Sequence, residues 1–287
     1  MTSAWAYRGA IKRVTKIEDH ATIPVQDSTQ TTSAAAVEVP AWGMRTDRRG
    51  MTSPVSHPES DFLQAVVFDL DDTLYPEREF TRSGFRAVSE AFADVLGNAP
   101  AACARMNALF DSPHRSRVFN ELLRERGVTD PARLVPAMIE CYRSHVPSIA
   151  LYPDADHALT RLKERFSLGL VSDGPRSAQR GKIAALGLQD RLDAIILTGE
   201  LGDGFGKPHP RAFEEIARRL GVEPHRCAYV ADNPAKDFVA PNRLGWRSIR
   251  VRRSDGVYAN AAAPPDGEPS VTIVTLDDLD PLLRRTT

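Results

Sequence analysis

The chain lacks a charge excess, a long apolar run and any paired cysteines, and each absence removes a class of function. Lys+Arg number 37 and Asp+Glu 38 in 287 residues, for a net charge of −1. That balance gives no support to a nucleic-acid partner, which needs a concentrated basic face. No apolar run approaches the ~18 residues that cross a bilayer, and the N-terminus has no short apolar core of the secretory type. The three cysteines, Cys103, Cys141 and Cys227, are scattered without disulfide or metal-ligand spacing, so they read as reduced thiols. Hydrophobic residues at 42% suit a globular protein. These features together predict a cytoplasmic protein with no membrane attachment. They leave the oligomeric state open.

What is present begins near residue 60, where the composition shifts. Residues 1–60 contain QDSTQTTSAAAVEVP and RTDRRGMTSPVSHPES, too polar to offset ordering entropy. They read as a disordered tail. The opening MTS recurs at Met51, which makes Met51 an alternative start. From residue 64, QAVVFDL is a short continuous apolar run that ends in turn residues, as a strand buried on both faces does. Next, FTRSGFRAVSEAFADVLG places Phe80, Phe85, Val88, Phe92 and Leu96 on one helical side and stops at Gly97. With SRVFNELLRERG and PARLVPAMIECYRSHV, it predicts a small helical bundle over 78–147. Strands and helices then alternate. SLGLVSDG, AIILTGELG, CAYVADN and WRSIRV read as strands; RSAQRGKIAALG, PHPRAFEEIARRLG and AKDFVAPNRLG read as helices. This alternation predicts an α/β fold, a doubly wound Rossmann-like parallel sheet with an inserted helical domain. The core would comprise 61–77 and 148–287. AAAPPDGEP, residues 261–269, reads as an exposed loop.

In such sheets ligands bind beyond the carboxyl ends of the strands, and four polar clusters fall there. Asp69 and Asp71 lie two apart, so an extended backbone points both the same way, and Asp72 and Thr73 follow. Ser172-Asp173-Gly174 sets a hydroxyl beside a turn with free backbone N–H groups. Lys207 stands on the Gly-rich GFGKPHP loop, and Asp232 and Asp237 flank a fourth turn. Carboxylates in this number suit a hard cation such as Mg²⁺, and the lysine and hydroxyl suit a phosphate. Each cluster alone has a plainer reading. Asp72 or Thr73 caps a helix, Asp237 is a dipole charge, and Ser172 and Lys207 are turn and surface residues. Their ordered recurrence at four strand ends favours a shared site.

The set FDLDDT, VSDG, GKPHP and YVADNPAKD resembles the four signature motifs of the haloacid dehalogenase-like hydrolase superfamily, in its phosphatase-type branch, across residues 64 to about 251. The insertion over 78–147 resembles that superfamily's helical cap. The resemblance implies a Mg²⁺-dependent phosphomonoester hydrolase acting on a small phosphorylated metabolite, such as a sugar phosphate or nucleotide. Asp69 would be the nucleophile that carries an aspartyl-phosphate, and Asp71 the general acid and base, with a pKa raised by neighbouring carboxylates. Asp69, Asp71 through its backbone carbonyl, Asp232 and Asp237 would hold the metal. Thr73, Ser172, Asp173, Gly174 and Lys207 would form the phosphate cradle, with Thr73 steadying its loop and Lys207 keeping Asp69 ionised. Asp71 and the metal carboxylates favour phosphate chemistry over carbon–halogen hydrolysis. Two positions depart from the pattern: Ala231 stands where Gly is frequent, and Asp173 where Asn is. A phosphotransferase or mutase, or a non-catalytic binding module, would share most of these residues. Glu77 and Arg78 follow the first motif directly, and the cations Arg78, His114, Arg115 and Arg117 either meet a second anionic group on the substrate or are solvated helix-surface charges. His209 reads as a helix-entry residue.

Overall fold

The computed structural model describes residues 62–283. The polar segment 1–60 and Met51 lie outside them. Six strands form one parallel sheet in the order β3-β2-β1-β4-β5-β6. They are β1 (Ala65–Phe68), β2 (Ser167–Ser172), β3 (Ala194–Leu197), β4 (Cys227–Ala231), β5 (Arg247–Val251) and β6 (Val271–Ile273). Every residue of β1 and β4 is buried, which explains their unbroken apolar runs. Successive side chains serve opposite faces. Val66 and Phe68 join one core with Leu168, Leu170, Val230 and Ile249, whereas Ala65 and Val67 join another with Ile196, Phe213, Ile216 and Tyr229.

The insertion follows β1 as α1 (Glu77–Ala91), α2 (Ala93–Leu96), α3 (Ala99–Phe110), α4 (Val118–Glu125) and α5 (Val135–Ser144). Phe80, Phe85, Val88, Phe92 and Leu96 are all buried, as their spacing predicts. Phe85 is the aromatic centre, with ring centroids 5.9 Å from Phe110, 6.1 Å from Phe119 and 5.7 Å from Tyr142. The chain returns to the sheet through α6 (Pro153–Lys163), then α7 (Arg176–Ala185), α8 (Arg211–Leu220), α9 (Val239–Arg243) and α10 (Leu279–Leu283). Gly169 of β2 lets α8 approach closely, since a Cβ there would lie 2.7 Å from Ile216 Cδ1.

Four elements depart from the sequence expectation. α6 was not expected, and neither β6 nor α10 was read from the polar C-terminal stretch. α9 is a five-residue helix that contains Pro241 rather than a longer one. The 261–269 stretch is irregular as expected, although Gly267 within it is buried.

Candidate active site

β1 pairs with both β2 and β4, and the order runs outward from it in both directions. The crevice at this switch point receives the first and fourth motifs side by side. Asp69 follows β1 and donates its backbone N–H to Val230 O of β4 at 2.9 Å, and Asp232 follows β4 directly. One carboxylate oxygen from each of Asp69, Asp232 and Asp237 lies within 4.8 Å of the others. All three residues are buried. Lys207 Nζ joins them, 2.6 Å from Asp69 Oδ1, 2.7 Å from Asp237 Oδ1 and 3.1 Å from the Tyr229 hydroxyl.

Three buried carboxylates around one ammonium are under-neutralised. Burial pushes Asp69 up to about 6; Lys207 opposes this and Asp237 adds to it. Burial, then Asp69 and Asp237, push Asp232 up to about 9. Asp232 Oδ2 is buried and has no hydrogen-bond donor. A carboxylate oxygen without a donor, in a cluster short of positive charge, is what a hard cation accepts. Asp69, Asp232 and Asp237 therefore fit a divalent ion.

The Asp71 carboxylate is not part of this trio. Its Oδ1 accepts from Lys182 Nζ at 2.7 Å and from the Tyr75 hydroxyl, and its Oδ2 accepts from Gln179 Nε2 at 3.1 Å. The expectation of a raised pKa is overturned. Burial raises it, but the Lys182 charge and the hydrogen bonds from Lys182, Tyr75 and Gln179 outweigh burial, and the net direction is down. The expectation counted nearby acids and missed a buried lysine on α7.

The second motif ends β2 with Ser172, whose Oγ is buried without a partner, and turns at Gly174, where φ is 132°. Asp173 is committed to protein donors. Its Oδ1 accepts from Thr198 Oγ1 at 2.8 Å and Lys207 N at 3.1 Å, and its Oδ2 pairs with Lys236 Nζ at 3.0 Å. It thus binds the second, third and fourth motifs together.

Asp72 takes up the first backbone N–H of α1 from outside the helix, whose N-cap position is Pro76. At φ 50°, its Oδ1 accepts from Glu77 N at 2.8 Å and its Oδ2 from Val257 N at 2.7 Å. Thr73 is wholly buried, and its Oγ1 has no partner. Its carbonyl accepts from Arg253 at 3.0 Å. Arg253 also pairs with Asp154 Oδ2 at 2.6 Å and stacks 4.0 Å from the Tyr152 ring, while Tyr152 N donates to Leu74 O at 2.9 Å. One guanidinium thus ties the first-motif turn to the entry of α6.

Among the insertion residues, Arg78 pairs with Asp111 at 2.7 Å and Arg115 lies 4.2 Å over the Phe110 ring. His114 and Arg117 are exposed. Burial and Asp71 push Glu77 up to about 7. His209 Nδ1 accepts from Arg211 N at 3.1 Å at the start of α8, which is a helix-entry role. Sequence reasoning missed Lys182, Gln179, Tyr75, Tyr229, Lys236 and Arg253. Tyr229 and Lys236 stand within the fourth motif itself, and Gln179 and Lys182 stand three apart on one helical face just after the second-motif turn.

Residues 63–245 match the haloacid dehalogenase-like hydrolase family. The chain belongs to it. This hydrolase is 34% identical over 200 residues to a glyceraldehyde 3-phosphate phosphatase from Methanopyrus kandleri, with 67% of this chain and 84% of the relative covered. It is also 34% identical over 227 residues to a phosphoserine phosphatase from Thermus thermophilus, covering 67% and 89%. An N-acylneuraminate-9-phosphatase from Rattus norvegicus is 27% identical over 223 residues, covering 71% and 88%. The fold is shared with the putative HAD-hydrolase YfnB from Bacillus subtilis, a structure bound to magnesium, at TM-score 0.57 and 20% identity over 78% of this chain and all of that one (100%).

Proposed function

We propose that this hydrolase cleaves phosphomonoesters of small metabolites, sugar phosphates or nucleotides among them, through an aspartyl-phosphate on Asp69 with Mg²⁺ as cofactor. The observation that carries the reading is the convergence of Asp69, Asp232, Asp237 and Lys207 at the β1–β4 switch point, with a buried Asp232 oxygen that no donor meets. The phosphatase relatives support the same substrate class.

Asp69, Asp232 and Asp237, with the backbone carbonyl of Asp71, would hold Mg²⁺. Bound there, it supplies positive charge toward the carboxylates and the phosphoryl oxygens. The chain's own groups account for the covalent steps. An Asp69 oxygen attacks phosphorus as the bond to the leaving oxygen breaks, and the protonated form of Asp71, which Lys182 disfavours, gives that oxygen its proton. Water then attacks the acyl phosphate, Asp71 takes its proton, and Asp69 is released with inorganic phosphate. Lys207 offsets charge on the transferring group, and the Ser172 hydroxyl and the Gly174 turn offer it donors. Asp173 holds these motifs in place, and Thr73 steadies the first-motif loop. The helices over 78–147 form the cap, and residues 61–77 and 148–287 the catalytic core.

Asp69→Asn tests the reading, with p-nitrophenyl phosphate as substrate and circular dichroism to confirm folding. Turnover should fall by about 10³-fold or more, and EDTA should abolish wild-type activity until Mg²⁺ is returned. Quenched wild-type protein should carry a hydroxylamine-labile phosphoryl group. Full Mg²⁺-dependent turnover in Asp69→Asn would overturn the assignment.

A further inference from the structure

Lys182 is 6% exposed although it lies on an amphipathic helix whose lysines ordinarily reach water. Its ammonium sits 2.7 Å from Asp71 Oδ1 and 4.4 Å from the Phe80 ring centroid, with the Tyr75 ring at 5.9 Å. An apolar side chain would pack against Phe80 and Tyr75 without the desolvation cost of an ammonium. Packing therefore gives no reason for a charge here. Gln179, one turn earlier and 2% exposed, donates to Asp71 Oδ2 at 3.1 Å and also to the Asp173 carbonyl. The same helix thus grips both oxygens of one carboxylate, and it is locked to the second-motif turn as it does so.

We infer that Lys182 and Gln179 are positioning residues for proton delivery: α7 fixes the rotation of the Asp71 carboxylate so that the oxygen facing Gln179 meets the leaving group. The inference rests on the role proposed above for Asp71. The two oxygens are not equivalent. Oδ1 takes two donors, Lys182 and Tyr75, whereas Oδ2 takes one, so Oδ2 keeps a lone pair for the travelling proton. A carboxylate freed from Lys182 would rotate among several orientations, and only part of that population would aim correctly.

Leaving groups separate this role from a structural one. A p-nitrophenolate departs without a proton, while an alkoxide needs one. The ratio kcat/KM reports steps through formation of the aspartyl-phosphate, before water enters. It is measured for p-nitrophenyl phosphate, phenyl phosphate and glycerol 2-phosphate in wild type, Lys182→Met, Lys182→Arg, Gln179→Leu and Asp71→Asn. Lys182→Met should lose about 10²-fold on glycerol 2-phosphate, at the low end of general-acid effects, and less than about threefold on p-nitrophenyl phosphate. Lys182→Arg should recover most of the loss. Gln179→Leu removes a neutral amide and leaves the ion pair intact, so it tests the same selectivity if Lys182→Met fails to fold. Asp71→Asn should show the steepest dependence. If Asp71→Asn is selective but Lys182→Met and Gln179→Leu lose equally on all three esters, or lose nothing, the positioning role is overturned and the Asp71 assignment stands. If Asp71→Asn itself is unselective, the acid role fails and the inference falls with it.

Discussion

Replacing Arg253 with Met should cost the core about 3 kcal/mol, the low end of the range for removing one partner of a buried ion pair. The Arg253 and Asp154 side chains are only 8% and 13% exposed, and their atoms meet at 2.6 Å. Methionine keeps the stem but leaves the Thr73 carbonyl without its 3.0 Å donor, and the Asp154 carboxylate keeps only Thr275 Oγ1 at 2.9 Å and Leu276 N at 2.8 Å. For a folded unit of this size the loss corresponds to roughly 6–12 °C in Tm. Urea denaturation and thermal scans of both proteins measure it. The acid limb of stability should change as well. Burial raises the Asp154 pKa, but hydrogen bonds from Arg253 and Leu276, with the Arg253 charge, carry it below the usual carboxylate value. Its folded value is thus below its unfolded one, so its contribution is complete above the unfolded pKa and fades as pH falls through the folded one. Asp154→Asn should flatten that limb. A loss in Arg253→Met of no more than ~0.5 kcal/mol, the size of an exposed pair, would refute the clamp.

Two further outcomes follow from packing. Gly169→Ala would set a methyl 2.7 Å from Ile216 Cδ1 and 3.2 Å from Val67 Cγ2. Chemical denaturation should show a cost of about 1–3 kcal/mol, as overpacking does, and Ile216→Val should recover part of it; no cost would show that α8 yields freely. Burial pushes the Cys227 thiol up to about 12, and the residue has no accessible surface. Iodoacetamide at pH 8 should therefore leave Cys227 unlabelled in the folded protein and label it in urea, and native labelling by mass spectrometry would contradict the burial.

Much of the scaffold was legible because it follows from periodicity. The unbroken apolar runs of β1 and β4 report burial on both faces, and Phe80, Phe85 and Val88 report the buried face of α1, although the helix breaks at Phe92 and Leu96 falls on α2. The pattern for α6 was also present but unread: Ala155, Ala158, Leu159 and Leu162 are all buried, at helical spacing behind a Pro and two acids in the first turn. β6 is three residues long, too short for any period to show. Asp69, Asp232 and Lys207 were legible because each ends or follows a strand in chain order. The surroundings of Asp71 were not. Lys182 looks like a solvated helix charge until α7 is docked, and only the docking turns its ammonium inward. The direction of the Asp71 shift was misjudged for this reason. Asp173, expected in the phosphate cradle, instead has its carboxylate taken up by Thr198, Lys207 N and Lys236.

The turn bearing the first-motif aspartates is secured by partners far along the chain: Val257 for Asp72 and Arg253 for Thr73, separated by 185 and 180 residues. Loop-closure entropy makes such distant contacts late to form. A ribosome-bound chain that has not yet exposed Val257 would possess β1 but not a fixed first-motif turn. Catalytic competence should then be among the last properties the nascent protein acquires.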